Sequence, residues 1–326
     1  IGNNLKTSIL ILLNKTKQEL ETPEFMEDTD VHTVYKNKGE KIDLNSYRGL
    51  FILNILRTIK DKMIHHDIYD IIHDNMSDSQ VGATKGRSIR NHIFVLNTVI
   101  NDVKQNKEKC IDLQVIDVCK CFDELDLDEC VNDLYDAGID NDKLNMIYEG
   151  NSNSNMAVNV PSIGLTERTQ IKKKVTQGGP LGPSICAVHI DKIGKEMTNR
   201  NEFCYNFKNI NIPALSMIDD VLCITECGCK SVEANAFINA QFELKNLRLN
   251  KDKCHQIHIG KPNDTCPRLK VHDDEMIKVN KDKYLGDIIS NNLNSDENIR
   301  SKVSNGMGAM SNIMKILREV SLREYY

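Results

Sequence analysis

The segment SMIDDVLCIT, Ser216 to Thr225, sets two aspartates side by side between two short apolar runs. The pattern reads as strand-turn-strand, and turns favour Asp. A turn facing solvent needs no apolar flanks, however, so this hairpin reads as buried. Adjacent carboxylates there repel each other and lose hydration, which pushes one towards protonation unless a cation compensates. Magnesium is the simplest compensation, because it prefers carboxylate and phosphate oxygens and rarely takes an all-protein cage. The hairpin therefore implies a phosphate-bearing substrate and a third carboxylate from elsewhere. Asp117 is the candidate: it interrupts CIDLQVIDVCKCFDEL (Cys110 to Leu125), whose two faces are mostly apolar, as in a central strand.

Outward from these two segments, periodicity predicts a helix over Leu5 to Leu20 and two strands within VHTVYKNKGEKIDLNSYRGLFIL. A long helix follows on an Ile55 to Ile72 stripe, then a helix capped by Ser88. A helix from about Leu127 stops at Ala137-Gly138. MAVNV and TQIKKKV pair as a hairpin, and GGPLGP opens a helix with Pro183 near its first turn. Ser231 begins another helix, running to about Leu249. CHQIHIG and YLGDIIS read as short strands, and Ser295-Asp296-Glu297 caps a last helix ending near Glu319. From Ile111 the order is β, α, hairpin, α, ββ, α, β, β, which is α+β and not a doubly wound sheet.

The chain has 326 residues, of which 40% are hydrophobic, enough for a sizeable core in two or three packed units. No apolar run reaches transmembrane length. Eleven irregularly spaced cysteines with no C-x-x-C pair argue against a disulfide framework and for a reducing, intracellular compartment, nucleus or cytoplasm. Cys223, Cys227 and Cys229 lack a second ligand group at zinc spacing and read as thiols. The first residue is Ile1, so the sequence reads as a piece of a longer protein. The net charge is −5, whereas nucleic-acid binders usually carry a basic surplus. Any nucleic-acid footprint must then be local, and IKKKVTQGG (Ile171 to Gly179) is either such a footprint or a solvated strand face.

DVCKCFD (Asp117 to Asp123), QGGPLGP (Gln177 to Pro183) and MIDD (Met217 to Asp220) occur in the order and spacing of the palm motifs of reverse transcriptases. NKDKCHQIHIG and YLG (Tyr284 to Gly286) fall where that family's later motifs fall, and YKNKG…YRGL and SQVGATKGRS resemble its finger motifs. The resemblance covers about Tyr35 to Ser290. The YLG strand, the GRS loop and the QGGPLGP form resemble non-LTR (LINE-type) retrotransposon enzymes more than retroviral ones, with group II intron enzymes as the nearer rival. Several positions depart from the pattern: Met217-Ile218 before the Asp pair, Gly49 for proline, Ala83 for an aromatic, Thr176 for arginine and Gly182 for serine. None removes a carboxylate.

The resemblance implies a right-hand polymerase. It has an N-terminal extension (1–30), fingers (31–110, with 127–175 contributing), a palm (111–290) whose ferredoxin-like sheet carries the Asp cluster, and the start of a thumb (291–326). It implies RNA-directed DNA synthesis on an RNA template, from a DNA or RNA primer, with dNTPs. Two Mg²⁺ ions, or Mn²⁺, would be held by Asp117, Asp219, Asp220 and the carbonyl of Val118. Phe122 would be the steric gate against the ribose 2′-hydroxyl; by itself it is a core aromatic at a strand end. Gln177 and Gly178 would meet the incoming nucleotide, and Arg48 and Lys36 its triphosphate. Lys253 would be the general acid for pyrophosphate departure, or an exposed loop lysine. Gln80 and Arg87 would touch the template backbone. Asp123 reads as the cap of the next helix. An RNA-dependent RNA polymerase shares this palm chemistry, and a decayed, RNA-binding scaffold shares the fold.

Overall fold

The computed structural model describes residues 2–160, 164–212, 214–261, 267–291 and 296–323. The first half runs α1 (Asn3–Glu19), β1 (Asp28–Tyr35), β2 (Tyr47–Leu53), α2 (Ile55–Asn75), α3 (Ile89–Gln105), β3 (Cys110–Ile116), α4 (Cys121–Glu124), α5 (Leu127–Asp136) and α6 (Asn141–Ser152). Then come β4 (Asn153–Val160), β5 (Gly164–Leu165), β6 (Thr169–Lys172), α7 (Gly182–Asn199), β7 (Tyr205–Phe207), β8 (Ile210–Ile212), β9 (Ala214–Met217) and β10 (Asp220–Glu226). The chain continues through α8 (Cys229–Leu244), β11 (His255–Gly260), β12 (Lys270–Val271), β13 (Asp274–Glu275), β14 (Ile277–Lys278), β15 (Lys281–Tyr284), β16 (Asp287–Ser290) and α9 (Asp296–Arg323). This mixed order is α+β, as the sequence reads.

A five-stranded sheet ordered β14-β11-β3-β10-β9 forms the centre, with β3 in its middle. Strand alternation sends its side chains into two cores. Ile111 and Leu113 of β3, Leu222 and Ile224 of β10, and Ile257 and Ile259 of β11 join Leu96, Val99 and Val103 of α3 on one face. Ile116, Val118, Val221 and Cys223 join α2, α5, α6, α7 and α8 on the other. Each fully buried Leu, Ile or Val contributes roughly 1.5–3 kcal/mol of transfer free energy; the face of β3 opposite Ile111 and Leu113 also carries the fully buried Asp112 and Gln114, which are hydrogen-bonded to Ser231 and Gln256 and to Asn235. A second sheet, ordered β2-β1-β4-β5 with β6 also on β4, contains the two hairpins read from the sequence.

Several elements differ from the sequence reading. YLGDIIS is not one strand: Leu285 (φ 47°) and Gly286 (φ 90°) turn it back, so β15 and β16 form a hairpin. Helix α8 stops at Leu244, because Asn246 enters the left-handed region (φ 54°). Helix α6 was not foreseen; its buried face is Leu144, Met146 and Ile147. Helix α9 runs past Glu319 to Arg323, and Ser295 lies outside the described residues. Cysteine spacing did not foresee a disulfide, yet Cys110 and Cys227 form one. The register explains it: Ile111 pairs with Glu226, so the next residues outward, 5.7 Å apart at Cα, face each other. Cys223 is fully buried and free. Among the described residues, no helix is long and apolar enough to cross a membrane.

Candidate active site

Asp117 follows the last residue of β3. Its amide donates to Cys254 Sγ (3.3 Å) and its carbonyl accepts from Asn250 N (2.8 Å), which fixes the strand end to the segment before β11. Across β3, Val221 of β10 pairs with Ile116, so Asp220 stands one step further, beside Asp117. Met217 and Asp220 pair across β9 and β10, leaving Ile218-Asp219 as a two-residue turn. The pairing thus gathers three carboxylates from distant points of the chain at one end of the central sheet.

Their electrostatics agree with that placement. Partial burial raises the pKa of Asp219, and the neighbouring Asp117 charge raises it further. Asp220 is raised by burial, then by Asp219 and Asp117. The Lys253 ammonium opposes both shifts. It lies 3.1 Å from Asp117 Oδ2 and 3.3 Å from Oδ1. Among the described residues, no group of three or more His, Cys, Asp or Glu side chains is arranged so that it could hold a metal ion as it stands, Asp117, Asp219 and Asp220 included. The donor chemistry nevertheless fits a hard divalent cation: three carboxylates meet at one strand end, and the raised pKa values of Asp219 and Asp220 favour added positive charge there. The Val118–Leu249 bridge is bonded through residues 117 and 119, so no hydrogen bond reaches the Val118 carbonyl among the described residues.

The turn is conformationally unusual. Ile218 sits at φ 58°, a region that β-branched residues rarely adopt. The fully buried Gln80 bonds its peptide unit on both sides: Ile218 N donates to Gln80 Oε1 (2.8 Å) and Gln80 Nε2 donates to Ile218 O (3.1 Å). Gln80, expected on the template backbone, is therefore turned inward, with both ends of its carboxamide hydrogen-bonded to the turn. Arg87 is likewise engaged, donating to the carbonyls of Ser77, Gln80 (2.9 Å) and Met76 (3.2 Å) and pairing with Asp78. Both residues fasten the loop between α2 and α3.

The chain between β3 and α5 places Phe122 and Asp123 on the single turn of α4, entered through a left-handed Lys120 (φ 44°). The Phe122 ring lies over Gly182, where an added Cβ would sit 3.5 Å from Cε1. Asp123 does not cap α5; Asp126 does, accepting from Glu129 N. Asp123 Oδ1 instead accepts from Gln177 Nε2 (2.9 Å), holding the carboxamide beside Phe122. Gly178 (φ 82°) is packed so closely on β2 that a Cβ would collide with the Phe51 backbone. Beneath this loop the fully buried Arg57 donates to Thr176 Oγ1 (2.9 Å), with Asp61 Oδ2 3.6 Å from its Nε.

Arg48 and Lys36 lie on the β1–β2 hairpin. Alternation puts Arg48 on the face of β2 opposite Phe51 and Leu53, the residues that meet Gly178. Lys36 Nζ donates to Asn45 O (2.8 Å). Neither shares a hydrogen bond or ion pair with the aspartates among the described residues. Sequence reasoning missed the Cys254 contact to Asp117, the Asp123–Gln177 bond and the inward Gln80; each joins segments far apart in sequence, and no local pattern announces them.

Known proteins extend this picture. Residues 35–289 match the family described as reverse transcriptase (RNA-dependent DNA polymerase). The retrovirus-related Pol polyprotein from type-1 retrotransposable element R2 of Popillia japonica is 21% identical over 239 residues, covering 73% of this chain and 33% of that protein. Apo telomerase from Candida tropicalis, truncated from its C-terminal domain, superposes with a TM-score of 0.55 at 13% identity, over 82% of this chain and 54% of that one. Candida tropicalis telomerase in complex with a TWJ fragment of telomeric RNA gives 0.57 at 12% identity, over 90% and 48%. The chain thus spans a third of the curated relative and about half of these telomerases. The likeness shows a right-hand polymerase fold, and the match across Tyr35 to Ile289 places the chain in the reverse transcriptase family.

Proposed function

We propose that this chain is the RNA-directed DNA polymerase of a non-LTR retrotransposon, extending a primer 3′-hydroxyl with dNTPs on an RNA template. One observation carries the reading: the β3–β10 pairing sets Asp220 beside Asp117, with Asp219 in the adjoining turn. The similarity to the R2 polyprotein supports the retrotransposon assignment. Fingers would comprise 31–110 and parts of 127–175, the palm 111–290, and the thumb would begin at 291–326. The site is intracellular in this reading.

Asp117, Asp219, Asp220 and the Val118 carbonyl would hold two Mg²⁺ or Mn²⁺ ions, which supply charge stabilisation to the attacking and leaving oxygens. The remaining work falls to side chains. The primer 3′-oxygen would bond to the α-phosphorus as the α–β phosphoanhydride bond breaks, its proton passing to solvent, and Lys253 would give a proton to the departing pyrophosphate. Gln177, oriented by Asp123, and the backbone of Gly178 would line the nucleotide. Phe122 would sit under the sugar and exclude a 2′-hydroxyl. Arg48 and Lys36 would reach the triphosphate by a movement of their hairpin. The Lys253–Asp117 ion pair favours a second reading, a non-catalytic RNA-binding scaffold, in which the lysine replaces the cations permanently.

Primer extension on an RNA template with Mg²⁺ separates the two. The polymerase reading predicts dNTP incorporation that Asp219→Asn abolishes. Template binding without incorporation by the wild-type chain would reject it in favour of the scaffold.

A further inference from the structure

Ile218 occupies the first position of a two-residue turn in a left-handed conformation that usually falls to glycine or asparagine. Such a residue is unfavourable by itself and persists only where its surroundings over-determine it. Here the Ile218 side chain packs against the core, and one side chain bonds its peptide. Gln80 is fully buried, its Oε1 accepts from both Ile218 N and Gly82 N (2.8 Å each), and its Nε2 donates to Ile218 O (3.1 Å). A carboxamide supplies the acceptor and the donor at adjoining atoms: a carboxylate lacks the donor, and an apolar side chain lacks both.

The loop bearing Gln80 is fixed on every side. Val81 N donates to Ser216 O (3.0 Å) and Ser216 N to Ser79 O (2.7 Å), so the loop closes the outer edge of β9. Ser77 N donates to Asp191 Oδ2 of α7 (3.0 Å). Gly82 permits the close approach, since a Cβ there would lie 2.5 Å from Ile218 N and 2.6 Å from Ile218 Cγ1.

We propose that Gln80 is the positioning residue of the Asp219–Asp220 turn, holding the Ile218 peptide so that both carboxylates face Asp117. The proposal rests on the polymerase reading for its kinetic consequences, and on the turn alone for its structural ones. It assigns Gln80 a role in orienting the aspartates in place of contact with the template.

The test compares wild type, Gln80→Met, Ile218→Gly and the double variant by single-turnover primer extension, by Mn²⁺ binding in electron paramagnetic resonance, and by melting temperature. Gln80→Met should slow nucleotide addition by about 100-fold, the scale of a small misplacement of reacting groups, with KM for dNTP nearly unchanged. It should weaken Mn²⁺ binding by about tenfold. Adding Ile218→Gly should recover most of both losses, because glycine takes the left-handed conformation unaided. A merely structural glutamine would lower the melting temperature with no kcat-specific loss and no rescue. Wild-type rate and Mn²⁺ affinity in Gln80→Met, or losses that Ile218→Gly fails to recover, overturn the proposal. A wild-type chain that binds Mn²⁺ without extending primers refutes the polymerase reading, and the Mn²⁺ comparison still decides the role of Gln80.

Discussion

Two β-hairpins carry residues of this site, and they are held in opposite ways. The β9–β10 hairpin turns in two residues, lies against the middle strand of the central sheet, and has its turn peptide bonded from outside by a buried glutamine. The β1–β2 hairpin is joined by a long connection, exposed over residues 36–45, in which Ile42 is 89% and Leu44 84% exposed. Its Arg48 side chain has no hydrogen bond or ion pair among the described residues. The difference teaches a division of labour. In the proposed reading the carboxylates would be held in place before substrate arrives, whereas Arg48, on a strand paired with β1, would turn its exposed side chain towards a triphosphate.

Substitutions on each hairpin sharpen or break that contrast. Asp219→Asn on the fixed hairpin should lower the rate of nucleotide addition by roughly 10³-fold or more, as removal of one preorganised electrostatic group does, measured by primer extension with Mg²⁺. Retained incorporation would remove the turn from the chemistry. Phe122→Ala should raise rNTP use relative to dNTP by at least about tenfold in the same assay, and no change would dismiss the gate. Arg48→Ala on the open hairpin should raise KM for dNTP by about tenfold with kcat nearly constant. A kcat-only defect would mean that Arg48 acts in the transition state and not in capture.

The smallest effect concerns stability. Burial and mutual repulsion raise the pKa values of Asp219 and Asp220 above the ordinary 3.8, so each binds more protons folded than unfolded. Their ionisation therefore destabilises the fold, progressively as pH rises from about the unfolded value through the raised one. Asp219→Asn should accordingly raise the metal-free melting temperature by roughly 1–2 °C at neutral pH, with the gain vanishing below pH 3.8. Calorimetry across pH checks it; a gain that is constant with pH would contradict the electrostatic account.

Much of this architecture is legible in the chain. Asp117 after a mostly apolar strand and Asp219-Asp220 between apolar runs suggest that the carboxylates meet, and the β3–β10 register sets Asp220 beside Asp117; their role in holding cations comes from the family resemblance and stays a proposal. The β1–β2 and β4–β6 hairpins follow from alternation, and the α3 stripe from its helical period. What the sequence hid was long-range polar pairing. Gln80 and Ile218 are separated by 138 positions, Asp117 and Cys254 by 137, and Gln177 and Asp123 by 54. A glutamine that caps a distant turn has the same local signature as one that touches a template. The Cys110–Cys227 bond was hidden likewise, since only the β3–β10 register brings its halves together.

The central claim is that the three carboxylates form one cation site at the end of the central sheet. Anomalous scattering from crystals grown with Mn²⁺, RNA–DNA primer–template and a non-hydrolysable dNTP tests it most directly. The account predicts Mn²⁺ peaks bonded to Asp117, Asp219 and Asp220, with the Lys253 ammonium moved off Asp117 towards the triphosphate. Bound primer–template and nucleotide with no Mn²⁺ at these residues, and Lys253 still paired to Asp117, would contradict it.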